Sequence, residues 1–338
     1  MNFINILNHI LRPLEWVVAQ LLTLFHHALV TFGMTAGPSP AWGIAIMCLV
    51  LVIRICLLPL FLSQMRAMQR IQVLQPQIQR IQHKYAARKD PRSKEAMQRE
   101  IMALQQRYNA NPLGSCLPSL IQAPILCSLF YTLQSLPAIA DGNAEPLGGI
   151  DHTMAGDIES SSIFGVRIAD SFGTVASPQS RIIIGVAVAL MCLTLFAIQW
   201  MLIHRNTSKD AMVSPQFRVQ KMTVFVFPAI YVVSGATLPF GVLLYWLTNN
   251  LWNLGQTLCQ LRWFPTPGSA AGERKARRDY EQDNRRRAAA GLPSLEEERA
   301  MAAREEAKAR REREKSAVSR NRKQHKTPHL AKRSIVKR

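Results

Sequence analysis

Acidic residues are scarce in this chain, and where they are missing matters more than how few there are. The 338 residues hold 22 Asp and Glu against 41 Lys and Arg, a formal net charge of +19. None of those acids falls in the long apolar runs that read as membrane spans. Proton-relay transporters place carboxylates inside their spans, so that class fits poorly. Catalytic signatures are absent too: there is no Gly-rich phosphate loop ending in Gly-Lys-Ser/Thr, no GxSxG and no HExxH. Six cysteines (48, 56, 116, 127, 192 and 259) lie in or beside apolar runs, and none forms a CxxC pair. They read as small buried hydrophobes rather than disulfides or metal ligands. The expectation is a protein that is not an enzyme and has no cofactor and no metal site. The N-terminus shows no cleavable signal with a basic start, apolar centre and small-residue cleavage site.

What is abundant is apolar surface, 48% of residues, beside a strongly basic remainder. That combination reads as an all-α polytopic membrane protein with basic loops. The run that organises the rest is Trp42 to Leu62, WGIAIMCLVLVIRICLLPLFL, long enough as a helix to cross ~30 Å of hydrocarbon. Arg54 sits inside it. A charge at mid-bilayer costs from ~2.5 kcal/mol on insertion scales to ~10 or more in simulations, so such residues tend to be functional. The alternative is snorkelling, since Arg54 lies roughly 12 Å from the end of the run and a long stem can lift its head group. No other predicted span offers Arg54 a carboxylate. Its partners are then water, amide or backbone oxygens, lipid phosphate, or an acid on a passenger.

Residues 1–41 hold a second apolar run whose Gln20, Thr23, His27 and Thr31 make a polar stripe at helical spacing. The stripe, with Glu15 and His26, predicts an interfacial amphipathic helix, with a crossing helix as the alternative. After span 42–62, residues 63–113 carry ten Lys/Arg against three acids. Ile71, Leu74, Ile78, Ile81 and Tyr85, then Met97, Ile101, Leu104 and Tyr108, step by threes and fours, the seam of an antiparallel helical hairpin. Pro91 marks its turn, and Pro76 is expected to break or kink the path into it. Spans 114–136, 181–203, 220–236 and 238–261 follow, with an acidic loop at 137–180 and a basic one at 204–219. The fourth is short for a full crossing. The positive-inside rule puts the hairpin and the basic loop in the cytoplasm and the acidic loop outside. The N-terminus is then outside, and the tail 262–338 is cytoplasmic.

That tail carries 23 Lys/Arg and 11 Asp/Glu. Ser294 and Glu297 match a capping box, Glu306 and Arg310 an i,i+4 pair, and a helix over about 295–316 is expected. Its basic residues, among them Arg285, Arg286, Arg287, Lys323, Lys332 and Arg333, suit ribosomal RNA or anionic lipid. A plain solvated tail is the bland alternative.

Four blocks carry a resemblance: WGIAIMCLVLVIRICLLPL (42–60), LQPQIQRIQHKY (74–85), NPLGSCLPSLIQAPILCSLFYTL (111–133) and LPFGVLLYWLTNNLWNLGQ (238–256). In this order around a basic hairpin they resemble the YidC-type membrane protein insertases, in the short form of Gram-positive bacteria. The resemblance implies five spans around a hydrophilic groove that opens to the cytoplasm and to lipid and is closed outside, in the bacterial cell membrane. It places Arg54 in that groove and implies Gln199, Trp246 and Gln122 as further groove residues. It implies nascent integral membrane proteins as passengers, no small-molecule substrate, a ribosome held by the tail, and the Sec translocon as a possible partner. A membrane-anchored ribosome or nucleic-acid tether is the alternative, and a small-solute transporter a weaker one.

Overall fold

The computed structural model describes residues 3–88, 90–110, 117–213 and 215–324. Eleven α-helices run through them: α1 (Phe3–Thr31), α2 (Ala41–Cys56), α3 (Leu58–Tyr85), α4 (Pro91–Arg107), α5 (Leu117–Ala140), α6 (His152–Ser160), α7 (Pro178–Arg205), α8 (Pro215–Thr237), α9 (Phe240–Trp263), α10 (Ala270–Ala289) and α11 (Leu295–Gln324). The described strands are β1 (Ser162–Ile163) and β2 (Val166–Arg167), paired antiparallel. The fold is all-α. It divides into two compact units, residues 1–273 and 274–338.

Four helical stretches are long and apolar enough to cross a membrane: Leu11–Thr31, Ile121–Ala140, Pro178–Arg205 and Phe217–Thr237. The α2–α3 pair makes a fifth, bent by 54°. The bend falls at Leu57, where α2 stops and α3 begins with a proline in its first turn. Pro59 has no N–H to donate, and its ring crowds the carbonyl four residues back, which ends α2. Pro76, where the sequence predicts a break or a kink, makes no break: it lies inside an uninterrupted α3. Its neighbours Leu74 and Ile78 are buried against α4, and that seam holds the helix together across the missing bond. The expected short fourth span is a 23-residue helix, because α8 starts back at Pro215.

Two apolar cores occupy one end of the bundle. The first joins α1, α2, α5, α6 and α9 through Leu22, Trp42, Ile46, Leu49, Leu136 and Tyr245. The second joins α7, α9 and the β-hairpin through Ile163, Ile184, Met191, Phe240 and Leu243. His26, expected at the membrane interface, is buried, its ring stacked 3.8 Å from that of Trp42. Residues 141–177 fold back over this end. Asp151 caps α6 by accepting from the Met154 amide at 2.7 Å, and that bond holds its carboxyl below the usual range. The Phe240 and Gly241 amides donate to the carbonyls of Asp170 (2.7 Å) and Ile168 (2.9 Å), tying the loop to the start of α9. Small residues make the approach possible: a Cβ on Gly43 would meet Ile163 Cδ1 at 2.0 Å, and one on Gly241 would meet Ile168 Cγ2 at 2.7 Å. Apolar groups gain little by leaving lipid, so such close packing carries the association of spans.

At the other end α3 and α4 form the predicted hairpin, with Ile71, Leu74, Ile78, Ile101 and Leu104 along its seam. Asp90 caps α4 by accepting from the Ser93 amide at 2.9 Å, with Pro91 next in line. Lys84 and Glu100 bridge the two helices at 2.9 Å. In the second unit, Ser294 Oγ accepts from the Glu297 amide (3.2 Å) and Glu297 accepts from the Ser294 amide (2.9 Å), the expected capping box. The helix it starts runs on to Gln324, and Arg310 pairs forward with Glu314 at 3.1 Å.

A candidate functional site around Arg54

The bend at Leu57 places Arg54 in the last turn of α2, where carbonyls without helical partners favour a cation. The side chain is half-buried and turns toward α9. Its Nε donates to Asn249 Oδ1 at 2.8 Å, and its Nη2 donates to the same oxygen. No described carboxylate forms an ion pair with it. Arg54 lines a cavity of about 420 Å³ with Gln64 of α3, Gln122 of α5, and Asn253 and Gln256 of α9. Leu57, Leu60, Phe61, Ala123 and Leu126 complete the wall. Among the described residues of that lining, Arg54 is the one that carries a formal charge.

The amides come from three helices, and each is placed by local sequence. On α9, Asn249, Asn253, Gln256 and Gln260 recur at spacings of four, three and four residues, which puts them along one helical face. On α5, Gln122 donates to the hydroxyl of Tyr245, itself buried at 1% exposure, while its own Oε1 has no partner. A second cavity, of about 230 Å³, shares Phe61, Gln64, Asn253 and Gln256 with the first and adds Gln69, Gln72, Gln220 and Gln260. A third, of about 310 Å³, shares Gln72, Thr207 and Gln220 with the second and reaches the hairpin seam at Ile71 and Ile78. The three form a row leading from Arg54 to the hairpin, with amide side chains set among apolar ones along its length. Amides both donate and accept, so such a wall can solvate water or a peptide of either charge.

Of the residues expected at the site, Arg54 and Gln122 share the first cavity. Trp246 is not in that lining; its ring stacks on Tyr231 at 5.0 Å and packs against both apolar cores. Gln199 is half-buried on α7, whose contributions to the second cavity are Leu195, Ile198 and Leu202. In the tail, Arg285 and Arg286 are exposed. Arg287 instead donates to the Pro293 carbonyl at 2.8 Å and pairs with Glu298, holding the turn between α10 and α11. Lys323 lies in the last turn of α11, and Lys332 and Arg333 fall outside the described residues. Asn249, Asn253, Gln256 and Gln64 are additions the sequence reading missed. The signal for three of them was there, as a helical row of amides in TNNLWNLGQTLCQ. Among the described residues no group of three or more His, Cys, Asp or Glu is placed to hold a metal.

Residues 34–266 match the 60Kd inner membrane protein family. The chain is 44% identical over 308 residues to a protein of Bifidobacterium longum named membrane protein insertase YidC, covering 90% of this chain and 91% of that one. A Streptomyces avermitilis protein of the same name is 34% identical, across 79% of this chain and 61% of its own length. A third, from Tropheryma whipplei, is 30% identical, across 81% of this chain and 90% of its own. The matched residues contain every helix around the Arg54 cavity, and the chain is a bacterial polytopic membrane protein that belongs to the 60Kd inner membrane protein family.

Proposed function

We propose that this chain is a membrane protein insertase that accepts nascent membrane proteins without nucleotide hydrolysis. The observation that carries the reading is Arg54, a cation with no described carboxylate partner, lining a cavity that carries four amide side chains inside an apolar bundle. Such a site lowers the barrier for the polar tail of a passenger by solvating it with amides and attracting its acids. The passenger's apolar helix then leaves along exposed α7 and α8, where Leu193, Trp200, Met222, Phe225 and Val233 face outward, and hydrophobic transfer drives it into lipid. The closed apolar end and the acidic loop face the cell exterior in this reading, and the basic hairpin faces the cytoplasm. The exposed tail arginines suit ribosomal RNA or anionic lipid, and the Sec translocon is a further partner the family resemblance implies. The relatives' name, and their coverage of both the cavity and the hairpin, support the assignment.

The test is photocrosslinking from Leu57, which lines the cavity, in the full chain reconstituted in vesicles during translation of a short membrane protein with an acidic leading tail. Crosslinks to that tail, lost when its acids are neutralised and lost in Arg54→Ala, are expected. Crosslinks to lipid alone, with insertion intact in Arg54→Ala, would overturn the role of the arginine. Arg54→Lys keeps much of the activity if simple attraction is the mechanism. It loses it if a planar two-pronged contact is required.

A further inference from the structure

We infer that Asn249 is a positioning residue that holds Arg54 in place while leaving its charge available, and that it thereby sets the preference for acidic passengers. This rests on the proposed role of Arg54. The guanidinium presents its Nε and Nη2 edge to a single acceptor, Asn249 Oδ1. That edge is the one a carboxylate grips with two parallel bonds. An aspartate has almost the same shape as an asparagine and would satisfy the same two donors, but it would neutralise the cation. The amide oxygen orients the group through its dipole and leaves the formal charge intact. Asn249 is itself absent from the cavity lining, whereas Arg54, Asn253 and Gln256 are in it. It stands behind the arginine and acts through it.

The surroundings support the division of labour. α2, α5 and α9 contain no Asp or Glu, so nothing else in the helices that build this wall balances the charge. One residue further on, Asn250 is buried at 2% exposure and faces the Tyr231 hydroxyl at 3.5 Å. The two adjacent asparagines thus do different things, one fixing helix contacts and the other fixing a cation.

The test uses the full chain in vesicles and three passengers that differ only in carrying zero, one or two acids in the leading tail. The readout is the ratio of insertion for the two-acid passenger to that for the zero-acid passenger. A ratio of roughly tenfold is expected for the unmodified chain, in the range that one favourable charge contact supplies. Arg54→Ala should bring the ratio to about one. Asn249→Asp should do the same, and the Arg54→Ala, Asn249→Asp double variant should be no worse than Arg54→Ala alone. Asn249→Ser, which keeps the charge and loses the tether, should give an intermediate ratio, and Asn249→Gln should recover part of it. A ratio unchanged in Asn249→Asp while Arg54→Ala is flat overturns the inference and leaves the role of Arg54 standing. Equal loss for all three passengers in Asn249→Asp also overturns it, because that is the mark of a merely structural residue. A ratio unchanged in Arg54→Ala overturns the underlying reading instead.

Discussion

The two ends of the bundle are made by the same helices and obey different rules. Toward the acidic loop, α2, α5 and α9 present Trp42, Ile46, Leu136, Phe240 and Tyr245, all at 2% exposure or less. Gly43 lies against Ile163 with no room for a methyl group. Toward the hairpin, the same helices present Arg54, Gln122, Asn253 and Gln256 around open space, with Asn249 behind the arginine. The difference shows how one helix can carry both a close-packed face and an amide-bearing one: α9 changes from an apolar first half to an amide-bearing second half between Tyr245 and Asn249. The first half is constrained by shape, and the second by hydrogen bonding.

The largest effect expected is at the close-packed face. Gly43→Leu should destabilise the folded protein by about 1–3 kcal/mol, the usual cost of overpacking, seen as a lower unfolding temperature in detergent. Adding Ile163→Ala should recover more than half of the loss, and an unchanged melting temperature in Gly43→Leu would mean the loop does not seat as described. Next comes the boundary between the two ends. Gln122→Leu strands the buried Tyr245 hydroxyl and should cost about 1–3 kcal/mol. Adding Tyr245→Phe should recover most of that, and additive losses in the double variant would deny the bond. In the cavity wall itself, Asn253→Ala should move stability by no more than about 0.5 kcal/mol, since Asn253 borders open space. A cost as large as that at Gly43 would erase the contrast.

The smallest effect lies beyond the wall, at the hairpin. Hydrogen bonding to Lys84 holds the Glu100 carboxyl below its ordinary 4.5, and the same contact raises Lys84 above 10.5. The stabilisation from Glu100 is therefore fully present above pH 4.5 and fades as the pH falls through the lowered value. That from Lys84 is present below 10.5 and is lost on the alkaline side. Amide protection in α3 and α4, taken relative to the intrinsic exchange rate at each pH, should fall slightly in acid, and Lys84→Met should remove that dependence. High salt should weaken it as well.

The legible parts of this fold were those written in nearby residues. The α3–α4 seam, the Asp90–Pro91 start of α4 and the Ser294–Glu297 box all depend on spacings of three or four. Arg54 stood out because its neighbours are apolar. Its partner did not, because Asn249 lies 195 positions along the chain and polar residues in a span have many possible explanations. Pro59 and Pro76 look alike in sequence, and only packing decides between them: Leu74 and Ile78 are pinned to α4 beyond one, whereas α2 ends before the other. α10 went unanticipated because it has almost no apolar face to give a period. His26 was misplaced for the opposite reason, since only the fold reveals that Trp42 stacks on it.

The break at Leu57 also sets up a mechanical asymmetry. α3 continues for 28 residues past it, a stiff arm roughly 42 Å long. A swing of about 10° at that pivot would carry the far end near Tyr85 by roughly 7 Å at this helical rise, while Arg54, three residues on the other side, would barely shift. Large excursions of the hairpin tip are thereby geared down to almost nothing at the arginine. The geometry of the lever alone separates the position of the tip from that of the charge at its root.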